Sequence, residues 1–271
     1  MSSWDYIAIA GILIAGVPHG GFDGAVARRT GWAILKRSTL AFHASYILLA
    51  ALVAVAWLSA PGFILALFLF ISAIHFGSSD IRSVTKPWQW QCFLPLIAHS
   101  GLVCIAIPGL HPELVLRLFN ILVGETNALE ILGGINYLIV PWLLVVIVYL
   151  VYASLVKEWW RSAALLGILL VMFFWLDPLV SFAIYFCFVH SPQHSLRIWR
   201  SLTPNDQRRC FLEAAAYTTT AWIIALLLMA WLHTAGGKDF DSLLIQLTFI
   251  GLASLTVPHM ILVDMIDRQN D

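Results

Sequence analysis

Residues 131–153 read ILGGINYLIVPWLLVVIVYLVYA, 23 consecutive positions without an ionisable acid or base of the Asp, Glu, Lys, Arg or His type. A helix needs roughly 20 apolar residues to cross the hydrocarbon core of a bilayer, and in water such a helix would have no polar face to present. The segment therefore reads as a membrane span, and the rest of the chain follows suit. Of 271 residues, 61% are hydrophobic and 11% charged, with a mean hydropathy of +0.87, where soluble domains hold about 45–50% apolar and about 25% charged residues. A soluble enzyme is excluded on composition. Apolar runs bounded by charge, Gly and Pro fall near 4–20, 37–59, 62–79, 89–107, 131–153, 159–176, 178–196, 210–233 and 243–263. The expected fold is all-α: a polytopic membrane helix bundle of about nine transmembrane helices, in a single integral-membrane domain over 1–271. Between the fourth and fifth spans, Leu114, Val115, Leu118, Ile121 and Leu122 recur at helical spacing within 108–130, which predicts a short interfacial helix.

Charge gives the orientation. The 15 Lys and Arg balance 15 Asp and Glu, so no net field favours a nucleic acid, and the partner that composition implies is the lipid bilayer. Thirteen of the basic residues fall in alternate loops or the C-terminus, leaving Arg117 and Lys238 on the other side. The positive-inside rule then puts the N-terminus outside and the C-terminus in the cytoplasm, in a multi-pass protein of the cell membrane. Trp88, Trp90, Trp142, Trp159, Trp160 and Trp231 sit near proposed span ends, at headgroup depth. Met1 to Tyr6 hold no basic residue, so the first apolar run is expected to be a retained span. Cys92, Cys104, Cys187 and Cys210 form no close pair and give no redox information.

On this map spans one, three, seven and nine run inward and carry His19, His75, His190 with His194, and His259 near their cytoplasmic ends. Five imidazoles from four helices thus reach one depth, and polar groups at membrane depth usually face a bundle interior and mark function. His190 and His194, at i and i+4, share a helix face, although Pro192 between them predicts a kink. Each histidine could instead bond a neighbouring helix. A shared metal is the economical way to satisfy His19, His75, His190 and His194 together. His259 reads as a ligand, a donor behind the ligands or a substrate contact, and His43, His99, His111 and His233 read as structural.

Asp23, Asp80 and Asp264 follow candidate histidines by four or five residues in PHGGFD, HFGSSD and PHMILVD. Each either accepts the second ring N–H of a ligand or is solvated and paired with Arg28, Arg29 or Arg82. Phe22, Phe76, Tyr185 and Phe188, with Phe182, Phe186 and Trp199, are candidates to line an apolar tunnel or simply to pack. An all-imidazole set suits Fe(II), Cu or Zn over Mg or Ca. Among rival readings, a retinal-binding rhodopsin lacks a lysine within a span, and a diiron desaturase lacks adjacent histidines. A membrane haem protein would show a Soret band. A histidine-based transporter or proton or metal channel would need polar groups across the full bilayer.

The motifs GVPHGGFD, SAIHFGSSD, CFVHSPQHSLRIW and TVPHM, in order from Gly16 to Met260, resemble those of the Brp/Blh family of membrane-bound β-carotene 15,15'-dioxygenases. That resemblance implies a non-haem Fe(II) enzyme that splits the central double bond of all-trans-β-carotene with O2 into two all-trans-retinal. It implies that His19, His75, His190 and His194 are the catalytic, iron-binding residues, and that a downstream retinal acceptor such as a microbial rhodopsin is a candidate partner.

Overall fold

The structure is a computed structural model that describes residues 1–29, 36–84 and 90–269, with the side chains of residues 36, 37, 90 and 264–269 left undescribed. The expectations for Lys36, Arg37, Lys86, Trp88, Trp90, Asp264 and Arg268 lie outside the described residues or side chains. Among those described, the chain is helical apart from its short connections and contains no strand. In chain order the α-helices are α1 (Ser3–Gly11), α2 (Asp23–Arg29), α3 (Lys36–Ser59), α4 (Pro61–Ile81), α5 (Phe93–Gly101), α6 (Ile107–Leu110), α7 (Pro112–Val123), α8 (Glu125–Leu155), α9 (Trp160–Trp175), α10 (Pro178–Tyr185), α11 (Ser191–Arg200), α12 (Pro204–Gly236) and α13 (Phe240–Gln269). Three π-helical segments interrupt them, at Ile12–Gly16, Leu102–Ala106 and Phe186–His190.

Eight helical stretches among the described residues are long and apolar enough to cross a membrane. The count departs from nine at 178–196. That stretch is helical, but its second half is the polar SPQHSLRIWR of α11, which dilutes the apolar run. Eight crossings would leave both termini on one side, so the opposite-sided termini read from charge require 178–196 to cross as well. The segment read as interfacial forms α7, whose apolar face buries Val115, Phe119 and Leu122. That face packs on α8, so protein rather than lipid covers it. Helix ends follow local chemistry: Ser2 and Asp5 form a reciprocal capping box at α1, and Gly237, at φ +59°, ends α12 in the left-handed conformation.

The chain divides into two compact units, Met1–Ala60 with Ser191–Asp271, and Pro61–His190. The first holds α1–α3 and α11–α13 around a core of Val26, Ala27, Phe42, Ile198 and Leu262, flanked by Phe22, Tyr46 and Leu202. The second is built on α4 against α5 and α5 against α8. There the Trp142 indole donates to the Ala98 carbonyl at 3.0 Å, and Gly101 makes the room, because a Cβ at 101 would collide with the Trp142 ring. Outward faces are apolar in both units, as Leu48, Leu52 and Leu227 in the first and Leu144, Ile147 and Val151 in the second show. Stripes of this length would be untenable in water and are at home against lipid.

Candidate metal centre

In the first unit the chain enters the motif PHGGFD through the π segment Ile12–Gly16 and a 3-10 turn, Val17–Phe22. Pro18 sits in the first turn, where its missing N–H costs nothing. His19 Nδ1 lies 2.5 Å from the Gly16 carbonyl oxygen. A carbonyl can only accept, so the ring proton is on Nδ1 and the lone pair is on Nε2. Two residues later Gly21 presses on α12, where an added Cβ would stand 2.7 Å from Ala214 Cα, so only glycine allows this approach.

Asp23 opens α2 and is 3% exposed. Its Oδ2 accepts the Tyr46 hydroxyl at 2.8 Å, and its Oδ1 accepts the Nδ1–H of His259 at 2.7 Å. His259 follows Pro258 inside α13 and is buried. His194, on α11, is buried as well, and its Nδ1 accepts from the Arg197 guanidinium at 3.2 Å. The three rings are mutually edge-on, with centroids 5.7 Å apart for His19 and His194, 5.2 Å for His19 and His259, and 4.9 Å for His194 and His259. Ligand atoms of Asp23, His194 and His259 all lie within 4.8 Å of one another.

The second unit holds the other two motif histidines. His75, on α4, and His190, the last residue of the π segment Phe186–His190, are buried with centroids 5.0 Å apart. His190 is gripped by aromatic rings: Phe186 stacks on it at 5.8 Å, Phe76 meets it edge-on at 4.8 Å and Tyr185 lies at 6.3 Å. The Tyr185 hydroxyl donates to Asp80 Oδ1 at 3.0 Å, and Asp80 Oδ2 accepts from His99 Nδ1 at 3.1 Å. The far nitrogen of His99, Nε2, accepts from the Ser162 hydroxyl at 2.9 Å. Gly77 repeats the role of Gly21, since a Cβ there would lie 2.8 Å from the Leu96 carbonyl oxygen on α5.

The carboxylates of PHGGFD and HFGSSD are thus buried rather than solvated, and each serves a histidine outside its own motif. The basic residue beside PHGGFD goes elsewhere: Arg28 pairs with Glu213 at 2.6 Å, and Glu213 also takes Arg209 at 2.9 Å. Phe22 meets Trp199 edge-on at 6.5 Å, Phe76 meets Tyr185 at 5.3 Å, and Phe188 is 77% exposed. The remaining histidines have protein partners: His43 with the Tyr217 hydroxyl, His111 with the Phe173 carbonyl and His233 with the Lys238 carbonyl. Sequence reasoning passed over Tyr46 and the bond between Asp80 and His99. The available signal was a hydroxyl or imidazole in the middle of an apolar helix, where a buried polar group must have a partner.

Pro192 stands at the second position of α11, directly after the π segment, so the missing N–H coincides with a change of helix type. Imidazoles, two of them with the proton on Nδ1 and the other ring nitrogen, Nε2, turned away from that contact, are a donor set that fits a divalent first-row transition metal and not Mg or Ca.

Comparison with known proteins agrees with the motifs. A family model described as Beta-carotene 15,15'-dioxygenase matches residues 10–267. A Beta-carotene 15,15'-dioxygenase from the uncultured marine bacterium 66A03 is 33% identical over 267 residues, covering 97% of this chain and 94% of that relative. No solved structure matches the chain.

Proposed function

The chain belongs to the beta-carotene 15,15'-dioxygenase family, and from that membership we propose that it is a non-haem Fe(II) dioxygenase cleaving all-trans-β-carotene at its central 15,15' double bond. One molecule of O2 is consumed, the carbon–carbon double bond is broken, and each half takes one oxygen atom, giving two all-trans-retinal. His19, His75, His190 and His194 hold the iron. Bound iron supplies the means of activating dioxygen; the protein supplies position and dryness. Phe22, Phe76 and Tyr185 hold the polyene by shape, whereas Phe188, 77% exposed, faces outward, and the regiochemistry follows from where the chain end stops. An apolar substrate enters from lipid without leaving a hydrocarbon surrounding. The protein resides in the cell membrane with 178–196 crossing, the N-terminus outside and the C-terminus in the cytoplasm, and it delivers retinal to an acceptor such as a microbial rhodopsin.

The observation that carries this reading is the packing of motif imidazoles on one another, half-buried His19 with buried His194, and His75 with His190, both buried. Imidazoles brought together in an apolar protein are the donor type that a first-row transition metal takes. Expression in carotene-accumulating cells, with chromatography of the products, should yield retinal and no asymmetric apocarotenals. Purified protein should carry about one iron per chain without a Soret band, and separate His19→Ala, His75→Ala, His190→Ala and His194→Ala variants should lose turnover with iron. A variant that keeps both iron and activity removes its residue from the ligand set, and bleaching without retinal removes central cleavage.

A further inference from the structure

We infer that His259 is itself a metal ligand, held in place by Asp23 and Tyr46, so that the first unit offers two imidazoles, His19 and His259, with the proton on Nδ1 and the lone pair on Nε2. The inference rests on the iron reading above and extends it to a residue outside the four histidines that reading assigns to the iron. The geometry lies within one unit. Three rings from three separate elements, the 3-10 turn Val17–Phe22, α11 and α13, meet edge-on at 4.9–5.7 Å.

Edge-on contact is also a usual way for aromatic rings to pack; what points to a metal here is that donor atoms of His194 and His259 lie within 4.8 Å of each other, in a buried cluster with Asp23. The tautomer is also set. The Asp23 carboxylate can only accept, so the 2.7 Å contact fixes the His259 proton on Nδ1 and leaves Nε2 as the coordinating nitrogen. A carboxylate behind a histidine is the arrangement that orients metal-binding imidazoles and raises their basicity.

The competing assignment makes Asp23 a ligand, with His194 and His259 completing two imidazoles and one carboxylate. Both Asp23 oxygens are already engaged, Oδ1 by His259 and Oδ2 by Tyr46. Each oxygen keeps a second lone pair, but sharing it with a metal would weaken the acceptor of a buried imidazole N–H. Asp23 and Tyr46 are therefore positioning residues: Tyr46 holds Asp23, and Asp23 aims His259. Pro258 contributes from the other direction, since it removes a helix hydrogen bond one residue before His259 and loosens α13 there.

The test is metal binding in the full-length protein in detergent, read with Co(II) by its visible ligand-field bands and by competition with a chelator, alongside iron content. Wild-type protein should bind one Co(II). His259→Gln should change the band pattern and weaken Co(II) by more than the 10–100-fold typical of partners behind a ligand. Asp23→Asn should keep the stoichiometry and lose about 10–100-fold in affinity, and Tyr46→Phe should lose less. Far-UV circular dichroism shows whether each variant is folded; should His259→Gln misfold, Asp23→Asn and Tyr46→Phe carry the test. Wild-type affinity and bands in His259→Gln, or in both Asp23→Asn and Tyr46→Phe, would overturn the inference and leave the iron reading intact. Loss of one full equivalent of Co(II) in Asp23→Asn, with His259→Gln unaffected, would make Asp23 the ligand and overturn it too. A wild-type protein that binds neither Co(II) nor iron would bring down the iron reading itself.

Discussion

The two units use one local device with different outcomes. In each, a histidine motif is followed two residues later by a glycine that lets its helix press on a neighbour, Gly21 on α12 and Gly77 on α5. In each, a buried carboxylate then takes a tyrosine hydroxyl on one oxygen and a histidine Nδ1–H on the other: Asp23 with Tyr46 and His259, Asp80 with Tyr185 and His99. The difference lies at the far side of the histidine. His99 Nε2 takes the Ser162 hydroxyl at 2.9 Å, so both its nitrogens are engaged by protein and it can bind nothing further. Around the His259 ring the neighbours are two further imidazoles, His19 and His194. A carboxylate behind a histidine therefore fixes a tautomer but does not by itself make a ligand; what meets the other nitrogen decides.

The comparison can be broken most forcefully at Asp80. Asp80→Ala leaves the Tyr185 hydroxyl and the His99 Nδ1–H buried without their acceptor, at about 1–3 kcal/mol each, so about 2–6 kcal/mol of stability should be lost. Thermal unfolding in detergent measures it, and a midpoint unchanged from wild type would show that the carboxylate does not hold this region. Next in size are the close approaches. Gly21→Ala and Gly77→Ala place a methyl where backbone atoms stand 2.7 and 2.8 Å away, and overpacking of this kind costs about 1–3 kcal/mol. Gly134→Ala is the internal reference: it lies inside α8 with nothing within 4 Å of the new methyl, so helix propensity should make it neutral or stabilising by up to about 1 kcal/mol. If all three behave alike in the same melt, the glycines of the motifs are not there for packing.

What the sequence made legible follows from the range over which each signal acts. Spans are local: 131–153 declares itself by composition alone, and α8 covers it. The segment 178–196 does not, because a π turn and the polar residues of α11 break the apolar run that such a reading depends on. The motifs put His19 and Asp23 four residues apart, and spacing on a regular helix suggests that one serves the other. The 3-10 turn defeats that expectation: His19 turns back to the Gly16 carbonyl, three residues before it, and Asp23 is left to reach a histidine 236 residues away. Asp80 likewise passes over His75 to reach His99, 19 residues on. Burial demanded a partner for each carboxylate; only the packing of helices could name it. For Tyr46, a hydroxyl in an otherwise apolar α3 was a visible anomaly whose partner lay outside any local window.

The sharpest form of the comparison is also the smallest in energy. Ser162→Ala removes the hydroxyl on His99 Nε2, and Tyr46→Phe removes the hydroxyl on Asp23 Oδ2; each deletes one hydrogen bond, worth about 0.5–1.5 kcal/mol net. Their unfolding midpoints should therefore fall by similar, small amounts. Metal affinity should separate them. Ser162→Ala alters the surroundings of a histidine with no ligand role and should leave Co(II) binding at the wild-type value. Tyr46→Phe lets Asp23 relax, so that His259 is aimed less well, and should weaken Co(II) by less than the roughly tenfold lower limit expected when the carboxylate itself is altered. Equal affinities in the two variants, at equal stabilities, would mean that the two carboxylates do the same structural work and that the resemblance between the units extends to their function.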